Sequence, residues 1–215
     1  MTTGTSLIYF GCIVVAVILH EISHGLVALW FGDDTAKRAG RLTLNPLPHL
    51  DPFGSIILPA LGAITGIPVI AWAKPVPVNP NRLRNPRRDM LWVGLVGPFT
   101  NFALMAGAAL IARSVYRSFP VASRFGDIGH APVGFQIVFF FALVNLFLGV
   151  FNLLPIPPLD GSSLLERALP ERWLPLWYQF RPYGMLVLLL LVFTGGILGR
   201  IIDPFETALI HFIGS

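Results

Sequence analysis

The chain has 215 residues, of which 54% are hydrophobic and only 12% are charged, and its mean hydropathy is +0.71. A soluble domain is usually about one quarter charged, so the composition argues against a soluble protein and predicts a single membrane-embedded unit over residues 1–215. The formal charge of +4 is interpreted as a signal of membrane orientation, not of nucleic-acid binding. The single cysteine, Cys12, excludes an intrachain disulfide and a thiolate zinc cluster.

Five apolar segments predict an all-α polytopic membrane protein. Because one crossing needs roughly 20 apolar residues, four of the segments are predicted to span the bilayer. They are the core helices 7–31, 90–112 and 133–154 and a C-terminal helix, 183–202. Three further elements are predicted: a re-entrant or hairpin segment at 54–72, a short membrane-associated β element beginning with 40-GRLTL-44, and an interfacial helix at 203–213 with Asp203 as its N-cap.

The distribution of basic residues favours re-entry of segment 54–72 over a full crossing. If this segment returns to the face it came from, eleven of the 15 Lys and Arg residues lie on one side, which is then cytoplasmic. A full crossing divides the same residues almost equally and gives no preference. The re-entrant topology leaves about four full crossings, with both termini outside.

The stretch 20-HEISH-24 places ionisable side chains inside the first apolar segment. His20 and His24 are four residues apart and project from one face of a helix, where two neutral imidazoles can bind one zinc ion. Glu21 is the candidate general base for a water whose pKa the zinc lowers towards 7. The alternative, polar side chains packed against another helix, is disfavoured because ionisable groups in a membrane helix are costly.

A catalytic zinc usually has three protein ligands, and Asp160 is the candidate for the third. It follows the fourth apolar segment in 152-NLLPIPPLDG-161, where prolines turn the chain back towards the membrane. In the re-entrant topology, this turn and the histidines lie towards the same cytoplasmic face. The alternative role of Asp160 is an N-cap of the next helix. His49 and Asp51 form a second short pattern, for which turn and capping roles are favoured over an accessory metal or gating role.

Three motifs together resemble the site-2 protease family of intramembrane zinc metalloproteases, in the compact prokaryotic form without a PDZ domain. They are 20-HEISH-24, 97-GPFTN-101 and 152-NLLPIPPLDG-161, and in this order they span most of the chain. The resemblance implies one zinc ion per chain, bound by His20, His24 and Asp160, with Glu21 as the general base.

The resemblance also implies roles for neighbouring residues. Asn152 is expected to contact the substrate or the developing oxyanion, and Asn101 to help pack the third helix against the site. Either asparagine can instead be a plain interhelical hydrogen-bonder. Residues 40–50 are expected to receive an unwound substrate as an added strand.

The predicted function is hydrolysis of peptide bonds in transmembrane segments of substrate proteins, as in regulated intramembrane proteolysis or the clearance of signal-peptide remnants. The expected partners are a transmembrane substrate and the lipid bilayer, without nucleic acid, and the sequence does not specify an oligomeric state. The expected location is a prokaryotic plasma membrane, with the active site towards the cytoplasm. The alternative function is a non-proteolytic zinc-binding membrane protein or a metal transporter, which would not need Glu21.

Overall fold

The computed structural model describes residues 3–51, 54, 57, 73–119, 128–193 and 196–215. The regular structure of these residues is helical, and no strand occurs among them. The α-helices are α1 (Thr3–Trp30), α2 (Thr35–Arg38), α3 (Pro86–Ser118), α4 (Val133–Asn152), α5 (Ser162–Ala168), α6 (Leu174–Phe180), α7 (Gly184–Phe193) and α8 (Ile197–Gly214). Short 3-10 turns lie at Leu47–His49, Pro80–Arg82, Ile128–His130, Glu171–Trp173 and Arg181–Tyr183.

Among the residues that the structure describes, four helical stretches are long and apolar enough to cross a membrane, which confirms the predicted all-α class. They are Thr3–Trp30, Pro86–Ser118, Val133–Asn152 and Glu171–Phe193. The fourth stretch lies earlier in the chain than the predicted helix 183–202. Its path continues through the 3-10 turn Arg181–Tyr183 because Pro182 occupies one of the first two turn positions, where an N–H is not required.

Gly196 interrupts the predicted C-terminal helix 183–202, which the structure does not form as one helix. Its φ of +97° lies in the left-handed region, which favours glycine, and α8 begins directly after it. The predicted interfacial helix 203–213 is therefore part of a longer helix. Asp203 lies inside that helix and is not its N-cap.

Helices α1, α3 and α4 pack against one another and carry the core. Helix α3 runs antiparallel to α1, as the contacts of His20 with Asn101 and of His24 with Val93 show. At the other end of α3, the side chains of Arg113 and Arg117 donate hydrogen bonds to main-chain carbonyls near the end of α8. The polar cluster that includes His20, His24 and Asn101 therefore lies in the half of α1 that ends at Trp30, while α8 packs at the opposite end of α3.

The two ends of the linker between α1 and α3 are in contact with each other. Arg84 N donates to Phe31 O over 3.1 Å, and the buried Asp33 accepts from Thr35 and, over 2.6 Å, from Asn79 N. Burial raises the pKa of Asp33, but the hydrogen bonds from Thr35 and Asn79 outweigh it and lower the pKa below its usual range. Asp33 is therefore a carboxylate at neutral pH and joins the two ends of the linker.

Within this linker, Lys74 N donates to His49 O over 2.9 Å, so the residues on either side of segment 54–72 are in contact. The predicted re-entrant segment itself lies outside the described residues, apart from 54 and 57, and its path stays a prediction.

The strand predicted at 40–44 is not formed. Residues 41–46 contain bends, because side chains form hydrogen bonds with nearby main-chain N–H groups: Thr43 accepts from Asn45 N and Asn45 accepts from Leu47 N. His49 Nε2 donates to Thr43 O over 3.0 Å, and Asp51 accepts from Gly54 N over 2.7 Å. These contacts are the turn and capping roles expected of His49 and Asp51.

Candidate metal centre

The two histidines face α3 at a position where α3 has no side chain. A Cβ on Gly97 would lie 2.4 Å from His24 Nε2 and 2.5 Å from His20 Cε1, so only glycine leaves room for both rings. Both imidazoles are buried, and their ring centroids are 4.6 Å apart. The i and i+4 spacing of α1 and the missing side chain of Gly97 together bring both Nε2 atoms to one point.

Asp160 reaches this point through a tight turn after α4. Gly161 N donates to Asn152 O over 2.6 Å, and a Cβ on Gly161 would lie 2.2 Å from Leu153 O. The N-cap position of α5 is Gly161, and no side chain makes a capping hydrogen bond there. The carboxylate of Asp160 is therefore not used as a cap and points towards the histidines.

Three potential ligand atoms converge at the centre. The two Nε2 atoms are 3.0 Å apart, and Asp160 Oδ2 lies 3.1 Å from that of His20 and 3.3 Å from that of His24. Tetrahedral coordination of zinc by nitrogen and oxygen, with bonds of about 2.0–2.2 Å, separates neighbouring ligand atoms by about 3.4 Å. Among the residues that the structure describes, these three form the one cluster with metal-binding spacing.

A chain of buried amides determines which nitrogen of His20 carries the proton. Asn145 Nδ2 donates to Phe141 O over 2.8 Å, a direction that the carbonyl imposes because it can only accept. Asn145 Oδ1 then accepts from Asn101 Nδ2 over 2.8 Å. Asn101 Oδ1 is left to accept from His20 Nδ1 over 2.6 Å. The proton of a neutral His20 is thus on Nδ1, and its Nε2 presents a lone pair to the centre.

His24 is oriented in the same way by the main chain of α3. Its Nδ1 donates to Val93 O over 2.5 Å, so its Nε2 also presents a lone pair. When both imidazoles are neutral and protonated on Nδ1, the buried Asp160 Oδ2 receives no hydrogen bond from them. Three acceptors that face one another need a cation between them, and a proton can bridge only two of them. The ligand set and its outer hydrogen bonds therefore fit a zinc ion.

Glu21 is half-buried beside the histidines on α1. Its Oε2 accepts a hydrogen bond of 2.7 Å from the main-chain N–H of Val76, which lies in the linker between α1 and α3. The candidate base is therefore oriented by a segment 55 residues away.

The two asparagines named from the sequence occupy different places. Asn101 is fully buried and bonds to His20, so it forms an interhelical hydrogen bond that reaches the metal centre. The side-chain amide of Asn152 donates to Leu148 O of its own helix over 3.0 Å. The main-chain carbonyl of Asn152 accepts from Gly161 N and so supports the turn that carries Asp160. The expected contact of Asn152 with substrate stays a prediction.

Three groups at the centre were missed in the sequence. Asn145 had a signal, since a lone amide in the apolar run 133–154 needs a partner inside the bundle. The carbonyl of Val93 and the N–H of Val76 had none, because main-chain groups are present at every residue and only the fold selects those two.

Replacing Asn145 with leucine is expected to weaken zinc binding by about 10- to 100-fold, because Asn101 then loses the partner that orients it towards His20. Zinc affinity is measured by competition with a chromophoric chelator in detergent. Gln136→Leu is the matched control: Gln136 is a buried amide on the same helix, and it bonds to Ala131 O away from the histidines. Equal zinc affinity in Asn145→Leu and Gln136→Leu would show that the amide chain does not support His20.

An HExxH pair and a carboxylate between candidate membrane helices are typical of an integral membrane metalloprotease. A family model described as "Peptidase family M50" matches residues 118–194, which include Asp160. The "Putative zinc metalloprotease YwhC" of Bacillus subtilis is 36% identical over 184 residues, which are 85% of this chain and 78% of that protein. The chain therefore belongs to peptidase family M50, the site-2 proteases, and is a zinc metalloprotease by this membership.

Two further relatives agree. The "Putative zinc metalloprotease Rip2" of Mycobacterium tuberculosis (strain H37Rv) is 36% identical over 183 residues, which are 82% of this chain and 64% of that protein. The "Zinc metalloprotease MJ0392" of Methanocaldococcus jannaschii is 25% identical over 166 residues, which are 77% of this chain and 35% of that protein. No solved structure matches the chain.

Proposed function

We propose that this protein is an intramembrane zinc endopeptidase that hydrolyses peptide bonds in transmembrane segments of substrate proteins. The observation that carries the proposal is the convergence of His20 Nε2, His24 Nε2 and Asp160 Oδ2 between candidate membrane helices. In this proposal the three residues bind one zinc ion, and the fourth coordination position of the zinc stays open for water and substrate.

The depth of the centre supports cleavage within the bilayer. His20 lies ten residues before Trp30, the end of α1. At about 1.5 Å per residue, this separation is about 15 Å along the helix axis. A soluble peptide would have to enter the apolar bundle to reach that depth, whereas a transmembrane segment is already there once it is unwound.

Each residue of the site has a distinct role in the proposed reaction. Zinc bound there would supply Lewis acidity, polarising the scissile carbonyl and acidifying water. Glu21 accepts the proton of the attacking water and delivers it to the amine of the leaving fragment. Asn152 contributes an amide donor for the substrate or the oxyanion, after its hydrogen bond to Leu148 O is exchanged for one to the substrate.

Water must reach the centre from the side on which the linker lies. A cavity of about 490 Å³ opens beside the turn that carries Asp160, and Ser162 and Ser163 form part of its wall. Three arginines also line this cavity: Arg87, Arg167 and Arg181. Apolar side chains and Glu166 complete the wall of this cavity, and its three arginines agree with the excess of basic residues on the proposed cytoplasmic side.

The proposed substrates are membrane proteins with a single span, such as membrane-tethered regulators or signal-peptide remnants. The proposed location is a prokaryotic plasma membrane with the centre towards the cytoplasm, the orientation that the basic residues favour.

Glu21→Gln tests the proposal. The amide keeps the size of the side chain but cannot accept the proton, so cleavage of a model transmembrane substrate in proteoliposomes should fall by at least about 100-fold. Bound zinc, measured by mass spectrometry of the purified protein, should stay at the wild-type level because Glu21 is not among the three ligands. Glu206→Gln is the control, since Glu206 lies on α8, which packs at the end of α3 opposite the metal centre.

The same two measurements, cleavage and bound zinc, distinguish the proposed protease from the alternative function. A metal transporter or a non-proteolytic zinc protein would bind zinc and show no cleavage in the wild type, with no dependence on Glu21. Wild-type cleavage that survives in Glu21→Gln would contradict the role of Glu21 as the base.

A further inference from the structure

A proline-rich segment of the linker lies across the helix that carries the candidate base. Residues 74–79, KPVPVN, are called the strap below. The strap contains no helix or strand and is attached to its surroundings at four places. His49 O accepts from Lys74 N, Arg41 donates to the carbonyls of Lys74 and Pro75, Glu21 accepts from Val76 N, and Asp33 accepts from Asn79 N.

The surroundings of Val76 show that its position is closely specified. Val76 is buried, and its side chain lies over Gly25, which is one helical turn after Glu21. A Cβ on Gly25 would be 3.1 Å from Val76 Cγ1 and 2.5 Å from Leu42 Cδ2. The missing side chain of Gly25 is what lets the strap approach α1 closely enough for the N–H of Val76 to reach Glu21.

The prolines on both sides of Val76 reinforce this arrangement. Pro75 and Pro77 have no N–H and have a fixed φ, so the strap is stiff and offers one donor at its centre. A buried Arg41 holds the preceding carbonyls, which keeps that donor aimed at α1. A glutamate without such a contact would be free to adopt several rotamers and to lose side-chain entropy each time it acts.

We propose that the strap is the positioning element for the general base, with the main-chain N–H of Val76 as the group that acts. Its hydrogen bond fixes Oε2 of Glu21, which leaves Oε1 as the oxygen that takes the proton from water. Val76 itself does not touch the substrate or the metal ligands in this role. The inference rests on the proposed function, since it assigns a partner to the base of that reaction.

Val76→Pro removes the N–H and is the direct test. Because a hydrogen bond to a charged group is lost, kcat for the transmembrane substrate should fall by about 10- to 100-fold, with KM and zinc content near the wild-type values. Val78→Pro is the matched control, since it introduces the same ring in the same strap at an N–H that does not bond to Glu21. Val76→Ala keeps the N–H and should reduce kcat much less than Val76→Pro.

Hydrogen exchange supplies a readout that does not depend on activity. Only Lys74, Val76, Val78 and Asn79 have exchangeable main-chain amides in the strap. In zinc-free protein, Glu21→Ala should accelerate exchange at Val76 and leave Lys74 and Asn79 as in the wild type, because their acceptors are His49 and Asp33. Unchanged exchange at Val76 in Glu21→Ala would overturn the inference, also in the case that Val76→Pro does not fold.

The two proposals fail in different ways. If the wild type does not cleave, or if Glu21→Gln cleaves normally, the proposed function is wrong. If Glu21→Gln is inactive while a folded Val76→Pro has the wild-type kcat, the proposed function stands and the positioning role of the strap is wrong. A rise in KM with unchanged kcat would also contradict positioning, since it would indicate that the strap binds substrate.

Discussion

Replacing Asp160 with alanine is expected to remove both bound zinc and proteolysis. Its Oδ2 is one of the three converging atoms and the one that carries negative charge, while both imidazoles are neutral in the ligand state. Without it, a dication in a buried site would have only two protein ligands, both neutral, and Glu21 would be the one carboxylate left beside it. Zinc in the purified variant should fall to the background level, and cleavage of the transmembrane substrate should be undetectable.

Two further variants make this result specific. Asp203→Ala removes an exposed aspartate on α8 and should leave the zinc content unchanged. Asp160→Cys should recover part of the zinc, because a thiolate is also a zinc ligand. If Asp160→Ala instead kept its zinc and lost only thermal stability, Asp160 would be a structural residue and not a zinc ligand.

The histidine pair could be predicted from the sequence because its geometry is local. His20 and His24 lie on one face of any helix, and a helix was certain from the length of the apolar run. Asp160 is separated from them by more than 130 residues, yet the sequence also named it as the candidate third ligand. The prolines before it predict a turn, and the charge distribution predicts the face on which that turn lies. The structure brings all three side chains together.

The elements that were misplaced depend on interactions that hydropathy does not record. Residues 40–44 alternate like a strand, but a strand needs a neighbour, and the side chains of Thr43 and Asn45 bond to the local main chain instead. The described part of the fourth span extends to Phe193 and a new helix begins after left-handed Gly196, whereas the apolar run continues to residue 202. The first prediction was wrong about the element itself, and the second was wrong about its boundary.

The contact between Val76 and Glu21 could not be predicted at all. It joins a helical side chain to one main-chain N–H in an irregular segment, and the intervening 54–72 has no periodicity that would reveal the distance between its two flanks. The structure shows that His49 and Lys74, which flank it, are hydrogen-bonded. The contact of the strap with Glu21 therefore depends on the tertiary fold of the linker, and no local sequence pattern predicts it.

Gly97→Ala is expected to abolish zinc binding and cleavage by adding a single methyl group. The new Cβ would lie 2.4 Å from His24 Nε2 and 2.5 Å from His20 Cε1, well inside van der Waals contact. The atoms that it meets belong to rings held by Asn101 and Val93, so they cannot move aside without losing the hydrogen bonds that orient them. Either α1 separates from α3 or the imidazoles rotate, and both outcomes break the ligand triangle.

The measurements are zinc content, zinc affinity by chelator competition and cleavage in proteoliposomes. Zinc affinity should fall by more than about 100-fold, which is a larger loss than that expected from removing a hydrogen bond to a ligand. Gly107→Ala is the matched control, because it lies on the same helix and a Cβ there meets nothing within 4 Å. A loss of zinc in both variants would point to a general effect on α3. A Gly97→Ala protein with normal zinc content would mean that the histidines do not face α3 at Gly97, and the arrangement of the metal centre against α3 would then be wrong.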